Sequence, residues 1–147
     1  MKTVIVMRGI SGAGKSTFIQ KNFPDAVVCS ADHFFSENGD YKRDFDPRLL
    51  GEAHATCLKK FIQAVYERES LIVVDNTHIR VWECQNYVDI ARLAHYEVRV
   101  VSIMPKTIAQ LQECAKRNSH FVPKETIAGM AINYEAWEGE ETYPPQF

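Results

Sequence analysis

The sequence predicts a single α/β domain over residues 1–147, a small doubly wound parallel sheet of about four strands with helices on both faces and a helical lid. Three observations carry that expectation. Runs at 3–7, 26–29 and 71–74 are nearly continuously apolar and rich in β-branched residues, as strands buried on both faces are, and 96–103 is a fourth strand-like run rich in valine. Stretches with helical spacing alternate with those runs, and such alternation builds parallel sheets. A glycine-rich loop follows the first run directly. Right-handed crossovers then give a small doubly wound domain, with an expected strand order of 2-3-1-4. Ligands of such sheets bind at the carboxyl ends of the strands.

Each element is read from its own residues. Residues 3–7 form a compact strand that ends at the glycines, and 15–22 form a helix. Residues 26–29 are a second short strand. Residues 30–46 are polar and aromatic, with Asn38-Gly39 marking a turn. A structureless loop of that length is uncommon unless it is functional. Pro47 stands where a first helical residue is favoured. After it Leu50, Ala53, His54, Cys57, Leu58, Phe61, Ile62 and Val65 recur at helical spacing. Residues 71–74 are the third strand, 79–94 a helix and 96–103 the fourth strand. Pro105 opens a helix that runs to Arg117, and Pro123 opens another with Ile127, Met130, Ala131 and Tyr134 on one face. The last ten residues read as a loose tail.

Composition narrows the function. The chain is 46% hydrophobic and 24% charged with a net charge of −2. That balance is ordinary for a globular domain and does not suggest broad binding to duplex nucleic acid. A polyanionic substrate needs a local basic pocket instead. Cys29, Cys57, Cys84 and Cys114 are widely spaced and form no CxxC pair, so neither a zinc site nor a redox motif is indicated. Cys29 and Cys57 are expected to pack as small hydrophobes. The N-terminal apolar run stops at Arg8, too short for a membrane span and without a signal-peptide cleavage pattern. A cytoplasmic location and no membrane partner are therefore expected.

The strongest signal is Gly9-Ile10-Ser11-Gly12-Ala13-Gly14-Lys15-Ser16, which fits G-x-x-x-x-G-K-[ST] in full. Its glycines let the backbone curl until successive N–H groups face phosphate oxygens, and the following helix offers its positive end to the same anion. A chance match in a chain of this length has odds of roughly half a per cent. ATP with Mg²⁺ is the expected ligand. Gly9, Ser11, Gly12, Ala13 and Gly14 cradle the phosphates, Lys15 reaches the β- and γ-phosphates, Ser16 ligates the metal and Thr17 touches the α-phosphate.

Asp32 closely follows the second strand. A carboxylate there can take a proton from an attacking hydroxyl, an effect of about 10²–10⁴ in rate. A turn or helix-cap aspartate reads equally well from position alone. Asp75 ends the run Leu71-Ile72-Val73-Val74, where an aspartate holds Mg²⁺ directly or through water. The plainer alternative is a turn residue beside Asn76 and Thr77. Ala115-Lys116-Arg117-Asn118-Ser119-His120 lies between helices as a candidate lid. Arg117 can stabilise charge on a transferring phosphoryl group, worth about 10³–10⁵ in related enzymes. A solvated helix C-terminus favours the same cations.

His54, on the apolar face of its helix, is expected as a satisfied core histidine. Lys59-Lys60 and Lys42-Arg43 read as solvated charge, with Lys42-Arg43 close enough to Asp32 to help hold an acceptor strand. Phe34, Phe35, Tyr41 and Phe45 interleave with that charge. Aromatic platforms beside basic groups suit single-stranded nucleic acid, and core packing explains these rings about as well.

Together the phosphate loop, Asp32, Val73-Val74-Asp75-Asn76-Thr77 and Lys116-Arg117-Asn118-Ser119 resemble the kinase domain of polynucleotide kinases. Val122-Pro123, Ile127, Met130 and Tyr134 extend the resemblance over nearly the whole chain. The stretch from Asp75-Asn76-Thr77 through Trp82-Glu83 and Tyr87 is also similar to the P-loop domains of the NEDD4-binding-protein group. The resemblance implies ATP as donor and a nucleic-acid hydroxyl as acceptor, the 5′-hydroxyl of DNA or RNA first. It implies catalytic roles for Lys15, for Asp32 as general base and for Arg117 from the lid, with Ser16 and Asp75 at the metal. Two departures bear on the acceptor. Phe35 stands where the phage-type enzyme has an arginine, three residues after the base, and the family's further lid arginine has no counterpart between His120 and Pro123. Lys42, Arg43 or Arg80 would have to replace the first of these. A hydroxymethyl-pyrimidine in DNA or a small metabolite stays open as acceptor. A nucleotide-binding switch that transfers nothing is the rival of another class, and the presence of both Asp32 and Arg117 argues against it.

Overall fold

The computed structural model describes residues 1–36 and 41–147. Strands β1 (Thr3–Arg8), β2 (Val27–Cys29), β3 (Leu71–Asp75), β4 (Glu97–Ile103) and β5 (Glu141–Tyr143) form one sheet in the order β2-β3-β1-β4-β5. Every pairing is parallel. The helices are α1 (Lys15–Asn22), α2 (His33–Ser36), α3 (Tyr41–Asp44), α4 (Leu50–Tyr66), α5 (Val81–Leu93), α6 (Ile108–Arg117) and α7 (Lys124–Asn133).

The apolar runs are continuous because the sheet is covered on both faces. Along β1, Val4 and Val6 pack with Cys29, Ile72 and Val74 against Phe61 of α4 and Val88 of α5. The alternating Ile5 and Met7 pack with Val73 and Val101 against Phe18 of α1, Cys114 of α6 and Ile127 of α7. Side chains alternate between faces along a strand, so both sets must be apolar when both faces are buried. All four cysteines are buried and free.

The expected strands and their order are present, and one more is added. The tail expected to be loose is instead β5, whose Glu141–Tyr143 pair with residues 101–103 of β4. Glu141 accepts both hydrogen bonds of a bidentate pair from Arg99, each 2.8 Å, and Tyr143 packs on Phe18 with ring centroids 4.8 Å apart. A short edge strand of mixed polarity carries no apolar run to announce it. Residues 30–46 are not wholly irregular, since α2 and α3 lie within them; the Asn38-Gly39 turn falls outside the described residues.

Boundaries moved where side chains took over the backbone groups. Pro47 opens a short 3-10 turn, capped by Asp46 accepting from the Arg48 amide at 3.0 Å, before α4 begins. The stripe of α4 on the sheet runs through Ala53, Cys57 and Phe61. His54 lies one step round the helix and is exposed, which corrects its placement in the core. α5 starts at Val81 rather than at residue 79, because the Ile79 carbonyl accepts from Arg8 (3.1 Å) and from the Glu135 amide (2.9 Å). Among the described residues no helix is long and apolar enough to cross a membrane.

Candidate phosphate-binding active site

The carboxyl ends of β1, β2 and β3 open on a cleft of about 270 Å³. Ser11, Gly12, Gly14, Lys15, Ser16 and Thr17 line one side, and Asp32, Asp75 and Arg117 join them. Gly9 and Ala13 stand behind this lining; Ala13 is buried, and the Gly9 amide donates to the Thr77 carbonyl at 2.9 Å. The loop is fixed from outside. Gly12 has φ of +83°, and a Cβ there would lie 1.9 Å from the Cys114 carbonyl oxygen of α6. Gly14, at φ +92°, leaves room for the Gln146 backbone, whose amide donates to the Ala13 carbonyl at 2.8 Å. α1 begins without a capping side chain and without acidic residues in its first turn, so its free N–H groups suit an anion.

The Lys15 ammonium donates to the carbonyls of Gly9 (2.9 Å) and Ile10 (3.1 Å). Burial pushes its pKa down, and Asp75 and then Asp32 oppose that shift. Burial likewise pushes the Asp75 carboxyl up; Lys15 holds it down and Asp32 adds to the rise. The Ser16 hydroxyl stands 3.5 Å from Asp75 Oδ2. A hydroxyl and a carboxylate side by side fit Mg²⁺, which takes few protein oxygens and completes its shell with phosphates and water. Among the described residues no group of three or more His, Cys, Asp or Glu forms a metal cage.

Across the cleft, Asp32 is held by groups far from it in sequence. Tyr41 donates its hydroxyl to Asp32 Oδ1 at 3.1 Å, and His120 Nδ1 lies 3.2 Å from Oδ2. Burial and then the charge of Asp32 push the Tyr41 phenol above its ordinary range. The loop carrying Asp32 is tied to β3 by Asn76, whose buried Oδ1 accepts from the Ala31 amide at 2.9 Å. Asn76 Nδ2 lies 3.4 Å from His78 Nε2, and His78 Nδ1 lies 2.8 Å from the Met7 carbonyl. A carbonyl only accepts, so the proton is on Nδ1 and Nε2 accepts from Asn76. Burial lowers the His78 pKa from 6.5 to about 4, which keeps the ring neutral.

Arg117, the last residue of α6, reaches the cleft edge. There its Nε donates to Glu113 at 2.6 Å, and its guanidinium carbon lies 4.9 Å from the centre of the Phe147 ring. Asn118 closes the next residues into a ring. Its Oδ1 accepts from the Val122 amide (2.9 Å), and its Nδ2 donates to the Val122 carbonyl (3.0 Å). His120 is carried on that ring.

Sequence reasoning missed several supports. Arg8 was read only as the end of an apolar run, yet it is fully buried. It donates to the carbonyls of His78 (2.8 Å), Ile79 and Glu135 (2.6 Å) and pairs with Glu140 at 2.9 Å. The signal was a lone arginine between a buried strand and the phosphate loop. Asn76 and His78 were visible only as polar residues after a strand-end aspartate. Phe35, at the position of the missing arginine, is core: its ring packs edge-on against Phe34, Tyr41 and Phe45, with centroids 5.0–5.7 Å apart. The expectation for Lys42 and Arg43 falls on side chains outside those described. Arg80 is exposed and pairs with Glu135 at 3.4 Å.

Comparison with known proteins bears on this geometry. An AAA domain family matches residues 4–137. NEDD4-binding protein 2 of Homo sapiens is 34% identical over 137 residues, which cover 90% of this chain and 8% of that protein. The chain therefore spans a small fraction of that relative's length. An APS kinase from Mycobacterium tuberculosis, solved in complex with AMPPNP and APS, superposes with a TM-score of 0.63 at 15% identity, over 99% of this chain and 90% of that one. A gluconokinase from Sinorhizobium meliloti superposes with a TM-score of 0.58 at 16% identity, over 99% of this chain and 83% of that one. At these identities the likeness is one of fold. The resemblance to NEDD4-binding-protein domains is borne out.

Proposed function

The chain belongs to the AAA domain family and has the fold of P-loop kinases, and from that premise we propose that it transfers the γ-phosphate of ATP to a nucleic-acid hydroxyl, first of all the 5′-hydroxyl of DNA or RNA. One observation carries the reading: Asp75 and Asp32 both line the single cleft that holds Lys15. A loop that only binds nucleotide needs no second carboxylate facing its lysine.

In this reading Lys15 and the loop amides hold the β- and γ-phosphates. Ser16 and Asp75 would hold Mg²⁺, which when bound would offset charge on the phosphate oxygens. Asp32 takes the proton of the acceptor hydroxyl as its oxygen bonds to the γ-phosphorus, the bond to the bridging oxygen breaks and ADP leaves. Tyr41 and His120 orient the Asp32 carboxylate for that transfer. Arg117, released from Glu113, closes over the transferring group, where added positive charge acts most strongly.

The test uses γ-labelled ATP, Mg²⁺ and three strands: one with a free 5′-hydroxyl, one with its 5′ end blocked, and a blocked strand carrying hydroxymethyl-pyrimidines. Label is expected on the free 5′ end alone. Label confined to the modified blocked strand would reassign the acceptor to a base hydroxyl. No label on any strand would overturn the nucleic-acid acceptor.

A further inference from the structure

A second cleft of about 220 Å³ adjoins the phosphate cleft, lined by Tyr41, Phe45, His120, Phe121, Val122 and Pro123. His120 lines both, and Tyr41 and His120 are the residues that hold Asp32. The two clefts therefore meet at the proposed base. The wall of the second is aromatic. The Tyr41 ring lies 5.4 Å and 17° from Phe45, and 4.3 Å and 28° from His120. Its volume is below the roughly 300 Å³ at which pockets begin to take drug-sized ligands, so it suits one ring system. Phe121 sits on its rim at φ +59°, a conformation strained for a bulky residue. The Asn118 ring imposes that backbone, and strain of this kind persists where the surrounding structure over-determines it, as at ligand clamps.

We propose, on the kinase reading above, that this cleft seats a nucleobase of the acceptor, stacked on the wall of Tyr41, Phe45 and His120 so that the attached hydroxyl reaches Asp32. The Tyr41 hydroxyl and His120 Nδ1 are committed to Asp32. The wall thus offers stacking rather than a hydrogen-bond code, and stacking tolerates any base. The same assignment accounts for Phe35: an acceptor gripped by its base needs no arginine on its phosphate.

The full chain, saturated with AMPPNP and Mg²⁺, is titrated with thymidine and separately with deoxyribose, following ring resonances of Tyr41, Phe45 and His120. Thymidine is expected to shift them and deoxyribose is not. Phe45→Leu, which keeps apolar bulk and loses the ring, should weaken thymidine binding by about tenfold, within the range of one base stack. No shift with thymidine, or equal shifts with both, would overturn the proposal. This readout needs no phosphoryl transfer, so a failed kinase reading leaves it standing or falling alone. In the labelling assay, an abasic 5′ unit should raise KM for wild type by about tenfold, but not raise it further in Phe45→Leu. Equal wild-type KM for the two ends would count against the base seat.

Discussion

The two sides of the cleft are built differently. The phosphate side stands on β1 and β3, in the interior of the sheet, and its Lys15, Ser16 and Asp75 come from a contiguous motif and one strand end. The proposed acceptor side stands on β2, an edge strand of three residues, and its Asp32 is held by Tyr41 and by His120 of the segment after α6. Charge packed against charge needs a frame that does not yield, and the buried strands supply it. On the proposed reading, selection of an acceptor falls to segments at the margin, where loops on a rigid scaffold commonly carry specificity.

The hardest test of this contrast is Lys15→Met. Charge stabilisation at a transferring phosphoryl group is worth about 10³–10⁵ in kcat, and a loss of that size is expected in steady-state turnover, together with weaker ATP binding. Asp32→Asn should cost less, about 10²–10⁴ in kcat, with the Kd for ATP unchanged by calorimetry. Damage to the phosphate side then removes binding and turnover, and damage to the acceptor side removes turnover alone. Full turnover in Asp32→Asn would take the base away from this residue, and weakened ATP binding there would erase the contrast.

The same division explains what could be read in the sequence. The phosphate side is local: an apolar run, a loop motif and a strand-end aspartate each announce themselves within a few residues. The acceptor side is made by chain segments that meet only after folding. Nothing near Asp32 in sequence points to His120, and nothing near Arg8 points to Glu140. Phe35 read as a lost arginine because a position was matched, whereas its neighbours make it core. β5 stayed hidden because Glu141-Thr142-Tyr143 owes its strand conformation to pairing with β4 and not to its own pattern.

The smallest expected effect falls on the joint between the two sides. His78 donates to the Met7 carbonyl of β1 and accepts from Asn76, and Asn76 in turn holds Ala31 beside Asp32. The ring is neutral when folded, with its pKa lowered from 6.5 to about 4 by burial, a shift that Arg8, His54 and Lys15 reinforce. The unfolded chain therefore binds a proton there at higher pH than the folded chain does. This contribution to stability is fully present above pH 6.5 and is lost as pH falls towards 4. It amounts to about 3 kcal/mol at 1.4 kcal/mol per pKa unit. Denaturant unfolding at pH 7 and at pH 4 should show that loss in wild type. His78→Asn keeps a donor for Met7, tolerates the positive φ of 46° at this position and has no proton to gain, so its pH dependence should be flatter by the same amount. Parallel curves for the two proteins would mean that His78 is not the neutral joint. A charged ring would also turn an N–H towards Asn76 Nδ2, donor against donor. The Ala31 tie and the acceptor side are then the first to loosen, while Lys15 keeps its carbonyl partners on the phosphate side.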